Sequence, residues 1–313
     1  MPSGLDFRRP LRVFVALAAL ALAPAANAAE PFGIDSPTPS PPAPSGTDQA
    51  VVARYWELGR TRPFLAGTVD AGYPYFRPRF AAGYGRPFWS WLGVEVSPTL
   101  AFGGVGSYVG AAAVVPGLTL RGGGRYFFPF SRTLLSPREH FTRQDLELSE
   151  GPRGDYLSYE AEAAATAPLF SGSVFGVLTG YRISRVHPDY YLYEENLRSV
   201  MKPPYIWRAR LGYLLAFSRN GAIRLGAAGE LIGLPGREEF VVRAGLLGSV
   251  SISAELEAQV SLIPVLVSPD RLGLAGGDFG QLGVRYSFST GSTPDPERLK
   301  EATRASESKR PSR

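Results

Sequence analysis

The residues best placed to do chemistry in this sequence are arginines and acidic residues that recur at every second position of long apolar segments. In residues 205–218, for example, Arg208 and Arg210 alternate with aromatic and aliphatic residues. Guanidinium and carboxylate groups on neighbouring strands can form ion-pair ladders, and any group that finds no partner must face water. The set consists of Asp70, Arg77, Arg79, Glu95, Arg121, Arg125, Glu160, Glu162, Arg182, Arg208, Arg210, Arg224, Glu230, Arg243, Glu255, Glu257 and Arg285.

Catalytic chemistry is poorly supported by the remaining residues. His140 and His187 are the only histidines, and both fall in predicted loops. His187 stands two residues before Asp189, but nucleophilic catalysis also needs a nucleophile beside a base that a third group orients. We therefore predict no enzyme, and a hydrolase that uses His187 ranks third among the hypotheses.

Composition argues against bound cofactors, metals and nucleic acid. The 313 residues include no Cys, which excludes thiolate ligands and disulfides, and the net charge of +5 is spread along the chain. The glycine run 122–124 lacks the phosphate-loop pattern. We predict no cofactor and no metal site. Four loop carboxylates could hold a hard cation, although a solvated charged loop is the preferred interpretation: Asp145, Glu147, Glu150 and Asp155.

The elements that must position the charged residues are strands, because alternation with period two places the two residue sets on opposite faces. The pattern predicts about twelve strands, with ten or fourteen as the alternatives. They lie near residues 63–73, 76–86, 89–102, 105–115, 117–128, 153–167, 172–186, 204–218, 221–233, 238–249, 251–265 and 278–290.

Alternation alone does not distinguish a soluble sandwich from a membrane barrel, which has its apolar face outside. Three features favour the barrel. The predicted strands have about 10–14 residues, which suits a tilted span of a bilayer, and aromatic residues cluster near their ends. Long connections at 129–152, 187–203 and 266–277 alternate with short ones, as in barrels whose long loops lie on one side. Two aromatic belts are predicted: Phe88, Trp89, Trp91, Phe170, Phe217 and Phe288 below, and Tyr73, Tyr75, Phe76, Tyr126, Phe128, Tyr205 and Trp207 above.

Residues 61–290 thus resemble Gram-negative outer-membrane β-barrel proteins, and end in the aromatic-rich segment Leu282–Phe288. The resemblance implies an all-β, antiparallel, transmembrane up-and-down barrel in the outer membrane. It also implies a lipid bilayer and the barrel-assembly machinery as partners, with Phe288 as the assembly signal. The polar tail after Phe288 departs from the usual pattern, in which the chain ends at that aromatic.

The flanking segments complete the predicted organisation. Residues 1–28 read as a signal peptide for Sec export, with a basic start, an apolar run and a small-residue cleavage site. Residues 29–60 form a Pro/Ser-rich periplasmic arm, in which a short helix over 47–60 is slightly preferred to an extended lead into the first strand. Residues 61–290 are the barrel, and residues 291–313 a polar periplasmic tail.

Two functional hypotheses follow. The first is a closed, non-enzymatic barrel that serves as the membrane-embedded part of an envelope assembly in secretion, adhesion or surface motility, with a periplasmic or surface protein as its partner. Its outer-loop contact residues would be Tyr190, Tyr191 and Tyr193. The alternative is a narrow porin-like channel for small anionic solutes, with the lumenal arginines as its selectivity stripe.

Overall fold

The computed structural model describes residues 55–73, 75–101, 103–130, 134–147, 152–217, 222–278 and 282–291. The predicted signal peptide, most of the arm and the tail beyond Gly291 lie outside these residues, so those assignments stay predictions. Tyr55–Arg60, the described end of the arm, is a turn rather than a helix, with the Gly59 amide donating to the Trp56 carbonyl at 3.3 Å. Across the described ranges, no helix has the length and apolar character needed to cross a membrane.

The secondary structure is almost entirely strand. The described chain contains one short helix, α1 (Arg143–Glu147), and two 3-10 turns, Pro235–Arg237 and Gly273–Gly276. Its strands are β1 (Arg62–Tyr73), β2 (Tyr75–Arg86), β3 (Ser90–Ala101), β4 (Gly104–Val115), β5 (Leu118–Pro129), β6 (Leu134–Leu135), β7 (Tyr156–Leu169), β8 (Gly172–Ser184), β9 (Tyr191–Glu194), β10 (Ser199–Met201), β11 (Tyr205–Ala216), β12 (Ile223–Leu234), β13 (Glu239–Ser251), β14 (Leu256–Leu262), β15 (Val265–Val267) and β16 (Leu282–Ser289).

Twelve of the described strands form a closed antiparallel wall. Each pairs with its neighbours in the order β1 to β5, β7, β8, β11, β12, β13, β14 and β16. The wall closes because β16 pairs with β1 over eight residue pairs. Closure leaves no free sheet edge. The predicted all-β barrel of about twelve strands is therefore confirmed.

The two ends of the barrel differ. At one end, which we call the turn end, short turns join β2 to β3, β4 to β5 and β7 to β8. At the other end, the capped end, the long connections carry β6, α1, β9, β10 and β15. This is the alternation of long and short connections that the sequence predicts.

The outer surface of the wall is apolar. Leu65, Leu92 and Leu246, on three different strands, are each more than 60% exposed, and similar residues surround the wall. The inner surface instead buries charged groups such as Asp70 and Arg285. A large, continuous exposed apolar surface is stable in hydrocarbon rather than in water. The barrel is thus a membrane-spanning one, with strands of sufficient length for a tilted span.

Glycines on the inner face allow the wall to bend sharply between β2 and β3. Gly83 and Gly93 are paired in register, and a Cβ atom on Gly93 would lie 2.2 Å from the Ala82 carbonyl oxygen. No larger residue fits without moving the backbone. These glycines therefore provide curvature rather than lumenal space.

One strand prediction is wrong at its start. The sequence predicts a strand over 251–265, but residues 252–255 form a turn and β14 begins at Leu256. The Ser253 hydroxyl accepts hydrogen bonds from the amides of Glu255 and Leu256 at 3.1 and 3.0 Å. Such a serine-centred turn competes with strand pairing, and alternation alone does not reveal it.

Candidate functional site: the lumen and its cap

Charged residues meet across the lumen wall in register, and the first row surrounds Asp70. Asp70 is paired directly with Arg285 on one side and with Arg77 on the other. The Arg285 Nε atom donates to Asp70 Oδ1 at 2.6 Å, and Arg77 Nη2 lies 3.6 Å from Asp70 Oδ2. Glu257 of β14 pairs with Arg285 and extends the row. Base and acid thus alternate over four adjacent strands.

A second row crosses β5, β7, β8 and β11. Arg121 is in register with Glu162, Glu162 with Thr179, and Thr179 with Arg208. The Arg208 Nη2 atom donates to the Thr179 hydroxyl at 3.3 Å, and that hydroxyl donates to Glu162 Oε2 at 3.4 Å. Arg121 Nε also lies 3.5 Å from Glu95 Oε1, which joins this row to β3. The Thr179 hydroxyl thus links the Arg208 guanidinium to the Glu162 carboxylate through two hydrogen bonds.

Beside this row, Arg125 of β5 and Glu160 of β7 form a two-point ion pair. Arg125 Nε and Nη2 donate to the two carboxylate oxygens at 2.6 and 3.0 Å. The Ser158 hydroxyl donates to the same carboxylate at 3.0 Å. Bidentate pairing of this kind fixes both side chains as well as stabilising them.

A third row surrounds Glu230 on β12. Glu230 is in register with Arg210 of β11 and Arg243 of β13. Arg210 Nε donates to Glu230 Oε2 at 2.9 Å, and Arg243 Nη1 donates to Glu230 Oε1 at 2.8 Å. Arg210 also bonds Asp278, and Arg208 lies 4.0 Å from Glu230. One carboxylate is therefore surrounded by three guanidinium groups.

The three rows form a ring of alternating charge around the barrel, which we call the charge ring. Pairing is essential here, because an isolated buried charge costs several kcal/mol. The described ring contains eight arginines and seven carboxylates, which leaves a small positive excess. They are Arg77, Arg79, Arg121, Arg125, Arg208, Arg210, Arg243 and Arg285, with Asp70, Glu95, Glu160, Glu162, Glu230, Glu257 and Asp278.

A small polar cavity remains inside the charge ring. It has a volume of about 30 Å³, which is room for about two water molecules. The cavity lies between β2 and β8, and its wall includes Arg79, Tyr108, Arg121, Arg125 and Thr179. The guanidinium of Arg125 stands over the Tyr108 ring at 5.3 Å from its centroid. The lumen at this level is thus polar and narrow.

The capped end is closed by the long connections. β6, β9 and β10 form a small sheet, and the hairpin of β9 and β10 carries Leu192, Leu197 and Met201, which are fully buried. These side chains pack against residues at the upper ends of the wall strands, such as Tyr156 and Ile232. We call this assembly of loops the cap.

Arginines attach the cap to the wall. Arg243, while bonded to Glu230, donates through Nη2 to the carbonyls of Leu197 and Arg198 at 2.7 and 3.1 Å. On the outer side, Arg237 bonds both oxygens of Asp270 at 2.7 and 3.0 Å. That carboxylate raises the pKa of Arg237, although burial works in the opposite direction. The cap is therefore held by charge-assisted hydrogen bonds at two levels.

Two adjacent carboxyl groups lie at the tip of the cap hairpin, Glu194 fully buried and Glu195 half-buried. Glu194 accepts hydrogen bonds from the Leu197 amide at 2.7 Å and from Asn196 Nδ2 at 2.9 Å. Burial is the largest effect on Glu194, and its pKa is raised. Burial and the neighbouring Glu194 raise the pKa of Glu195 to about 7, although Arg198 acts to lower it.

The turn end is narrowed by Trp56, which precedes the barrel in sequence. Its ring packs against Phe88 with centroids 4.6 Å apart, and its indole nitrogen donates to the Ala254 carbonyl at 3.1 Å. Phe88 and Trp91 are 4% and 5% exposed and pack in the same cluster. Their predicted place in a lipid-facing belt is wrong, because the alternation puts Trp91 on the inner face with Glu95, and the turn directs Phe88 inward.

The structure places most of the predicted lumenal residues on the inner face of the wall and two of them elsewhere. Arg182 lies exposed on the outer face, between Tyr181 and Ile183, whose side chains point inward. Neighbouring residues of a strand face opposite sides, so an error of one residue in the assignment reverses the predicted face. Glu255 lies in the turn at 252–255, where it bonds the Ser253 hydroxyl at 3.1 Å, and not in a strand. The other predicted positions face the lumen, with Arg224 half-buried near the turn end.

The three predicted contact tyrosines are largely structural. Tyr193 donates to the Ala275 carbonyl at 2.9 Å, and the Tyr191 ring packs 5.4 Å from Phe141. Tyr190 stacks edge-on with His187 at 6.1 Å and stays partly exposed. A partner at this surface stays a prediction.

His140, His187 and Glu147 are exposed in the loops, whereas Asp145 and Asp155 are half-buried. His187 Nδ1 lies 3.3 Å from Asp189 Oδ2, with both side chains more than 60% exposed, and His140 bonds the Pro269 carbonyl. Asp145 accepts from the Thr142 amide at the start of α1, and Asp155 accepts from Tyr126 at 2.6 Å. Within the described ranges no group of three or more metal-ligating side chains assembles, and Glu150 lies outside them.

Several functional positions escaped sequence reasoning. Thr179 and Asp278 complete the charge ring, Glu194 and Glu195 occupy the cap, and Trp56 narrows the turn end. Thr179 lies in a predicted strand, so the alternation of that strand could have been used to predict that its side chain faces the lumen. The others lie in loops or in the arm, where the sequence carries no periodic signal.

Comparison with known proteins adds little to this geometry. No protein-family model and no curated protein matches the sequence significantly. Among solved structures, the chain is similar to the NanC porin, with a TM-score of 0.35 and 9% sequence identity over 72% of this chain and 97% of that one. The closed strand ladder by itself defines the fold as a barrel.

Proposed function

We propose that this chain is a narrow outer-membrane channel for small anionic solutes, and that the described conformation is its closed state. The charge ring is the observation that carries the proposal. It lines the lumen around nearly the whole circumference and surrounds a polar cavity. Well-packed apolar residues are usually as stabilising as buried ion pairs. A wall selected only for stability would not need a charged interior, whereas a passage for water and ions would.

The cap supports a closed state rather than a permanently filled barrel. The apolar closure at the capped end depends on Leu192, Leu197 and Met201, which belong to a loop hairpin. A loop can move without breaking the pairing of the wall. The lumen can thus open at this end while the barrel stays intact.

The passage is expected to be narrow and only modestly selective. On the side from β7 to β14, Phe175, Leu214, Leu247 and Ile263 fill part of the lumen from the wall itself. The eight arginines of the charge ring outnumber its carboxylates by one, and guanidinium groups stay charged at any physiological pH. Small anions are therefore favoured over cations, but weakly.

The proposed orientation of the barrel in the outer membrane follows from the lengths of its connections. In outer-membrane barrels the long loops face the outside and the short turns face the periplasm. The cap would then lie at the cell surface and Trp56 at the periplasmic mouth. Insertion by the barrel-assembly machinery, with Phe288 as its signal, belongs to this proposal.

The test is ion current through the purified full-length chain in a planar bilayer. We expect a steady current of low conductance, with a reversal potential in a salt gradient that favours anions. The double variant Arg208→Ala, Arg210→Ala should reduce or reverse this preference, because it removes two positive charges from the charge ring. Arg182→Ala is the matched control, since Arg182 lies on the outer face and should leave selectivity unchanged.

A second variant is needed because the cap of the natural chain would block any current if it never opened in the bilayer. Replacement of the hairpin tip 195–198 by a Gly-Ser linker removes the buried Leu197 side chain and loosens the tip whose backbone carbonyls Arg243 binds. If neither the natural chain nor this variant conducts, although both are folded by circular dichroism, the channel proposal is wrong.

Closure at both ends favours a second candidate, the envelope-assembly component that conducts nothing. Among the described residues, the cap and Trp56 enclose small cavities such as the central one of about 30 Å³. Absence of current in both chains, together with co-purification of a stoichiometric periplasmic or surface protein, would support this function in place of the channel.

A further inference from the structure

The tip of the cap hairpin reaches over part of the mouth of the barrel. The hairpin starts between β8 and β11, yet its Glu195 touches the turn between β3 and β4, which lies four strands away around the wall. A Cβ atom on Gly103 of that turn would lie 1.7 Å from Glu195 Oε1 and 2.5 Å from its carboxyl carbon. The hairpin therefore covers part of the opening, and Gly103 leaves the space that receives the carboxyl group.

Hydrogen bonds to the other loops fix the hairpin from above, such as those from Tyr193 to the Ala275 carbonyl and from Arg198 to the Gly277 carbonyl, both at 2.9 Å. Two kinds of contact fix it to the wall. From below, Arg243 bonds the Leu197 and Arg198 carbonyls and the Ser199 hydroxyl, which it contacts at 3.1 Å. From the sides, Leu192 and Leu197 are buried in the apolar cluster beneath the cap. Both kinds of contact are lost if the hairpin rises.

The carboxyl groups at the tip oppose this closure once they ionise. Glu195 is half-buried beside the fully buried Glu194, with Arg198 as a nearby cation and Tyr193 close by. Glu194 faces Glu160 and Arg125 of the wall strands and the Tyr156 hydroxyl, which donates to it at 3.3 Å. Arg125 is already bonded to Glu160. Two adjacent carboxylates thus share a poorly hydrated site with few cations.

We propose that the hairpin of β9 and β10 is the gate of the channel, closed while Glu195 is protonated and released when this carboxyl, next to Glu194 and against Gly103, becomes ionised. This inference rests on the proposed channel function and assigns its regulation. A gate that opens in alkaline and closes in acidic surroundings would seal the passage when the outside becomes acidic.

The direction follows from the two states of Glu195. In the closed hairpin the pKa of Glu195 is about 7, whereas in the open, hydrated hairpin it returns towards the ordinary value of 4.5. The closed state therefore binds the proton more tightly and is fully favoured below about pH 4.5. As the pH rises from there to about 7, the ratio of open to closed grows by at most about 300-fold, and it is constant above that.

Bilayer current as a function of pH is the first measurement. For the natural chain we expect the open fraction to rise between pH 5 and pH 8. Glu195→Gln, which removes the charge and keeps the shape, should stay mostly closed over the whole range. Glu147→Gln is the matched control, since Glu147 is an exposed carboxyl of the same loops and should leave the pH profile unchanged. The gate proposal is wrong if the open fraction of the natural chain does not depend on pH, or if Glu195→Gln has the same pH profile as the natural chain.

A second measurement follows the hairpin without relying on conduction. The chain has no cysteine, so Ser199→Cys places a unique thiol at a position that is buried in the closed hairpin. The thiol is labelled with a charged maleimide, and the rate is divided by that of the exposed Ser136→Cys variant, which corrects for the reactivity of thiols at each pH. We expect this ratio of labelling rates to increase as the pH rises. Adding Glu195→Gln should abolish that increase.

The two measurements separate the two proposals. Labelling that depends on pH and on Glu195, without current at any pH, would support the moving hairpin and refute the channel. Current with labelling that does not depend on pH would support the channel and refute the gate.

Discussion

At the scale of the residue, cross-strand register decides which charges meet. Glu230 binds Arg210 and Arg243 because these two residues are its direct partners on β11 and β13. A carboxylate at this position has no access to bulk water, so its stability depends on the guanidinium groups around it. The same reasoning explains why Asp70 lies between Arg285 and Arg77.

The prediction at this scale concerns Glu230→Gln. The substitution keeps the shape but removes the carboxylate that Arg243 bonds and one of the two that Arg210 bonds, and should lower the free energy of unfolding by about 3–5 kcal/mol. Urea unfolding in lipid vesicles, followed by tryptophan fluorescence, measures this loss. Asp189→Asn, at an exposed loop position, should change stability by less than about 0.5 kcal/mol. Equal losses in the two variants would contradict a stabilising charge ring.

At the scale of the element, segments outside the wall close both ends of the lumen. The hairpin of β9 and β10 covers the capped end, and the turn that carries Trp56 occupies the turn end. The Arg86 guanidinium donates to the Glu57 carbonyl at 3.0 Å and fastens this turn to β2. In the proposed channel, the wall provides the passage and the connections determine whether it is open.

For the turn that precedes β1, the prediction concerns Trp56→Ala. The variant removes a buried aromatic ring and the hydrogen bond to Ala254, and should lower the free energy of unfolding by about 3–5 kcal/mol. Phe170→Ala, which removes an almost fully exposed aromatic at the same end, should cost clearly less. If Trp56→Ala costs no more than this control, the turn is not docked in the barrel as described.

At the scale of the whole molecule, closure of the ring depends on the pairing of β16 with β1. Phe288 is paired with Gly67, and its ring occupies the space above that glycine, where an added Cβ atom would meet it at 2.5 Å. The ring also stacks on Tyr286 at 6.2 Å. An aromatic that covers a glycine on the neighbouring strand strengthens the last pairing to form.

We accordingly expect Phe288→Ala to slow folding into lipid vesicles and to lower the folded yield severalfold at a fixed time. Phe240→Ala removes an aromatic of similar exposure from β13, away from the closing pair, and should fold nearly as well as the natural chain. Folding is followed by the mobility of unheated samples in detergent gels. Equal yields for the two variants would exclude a special role of Phe288 in closure.

The strands were predictable because period-two alternation is local. The predicted strand 105–115 is observed at Gly104–Val115, and 172–186 at Gly172–Ser184. The inward face followed from the same alternation, except at Arg182, where the assignment was wrong by one residue. The turn at 252–255 was missed because a serine hydroxyl, rather than the hydrophobic pattern, ends the pairing there.

The sequence by itself determined that this chain is a β-barrel of about twelve strands with charged groups inside and apolar groups outside. These properties depend on residues two positions apart, which the chain order displays directly. Only the tertiary structure decided which charges pair, how Trp56 enters the turn end and that Glu195 lies against Gly103. Those contacts join residues far apart in sequence, and they exist only once the ring has closed and brought distant strands within reach of the loops.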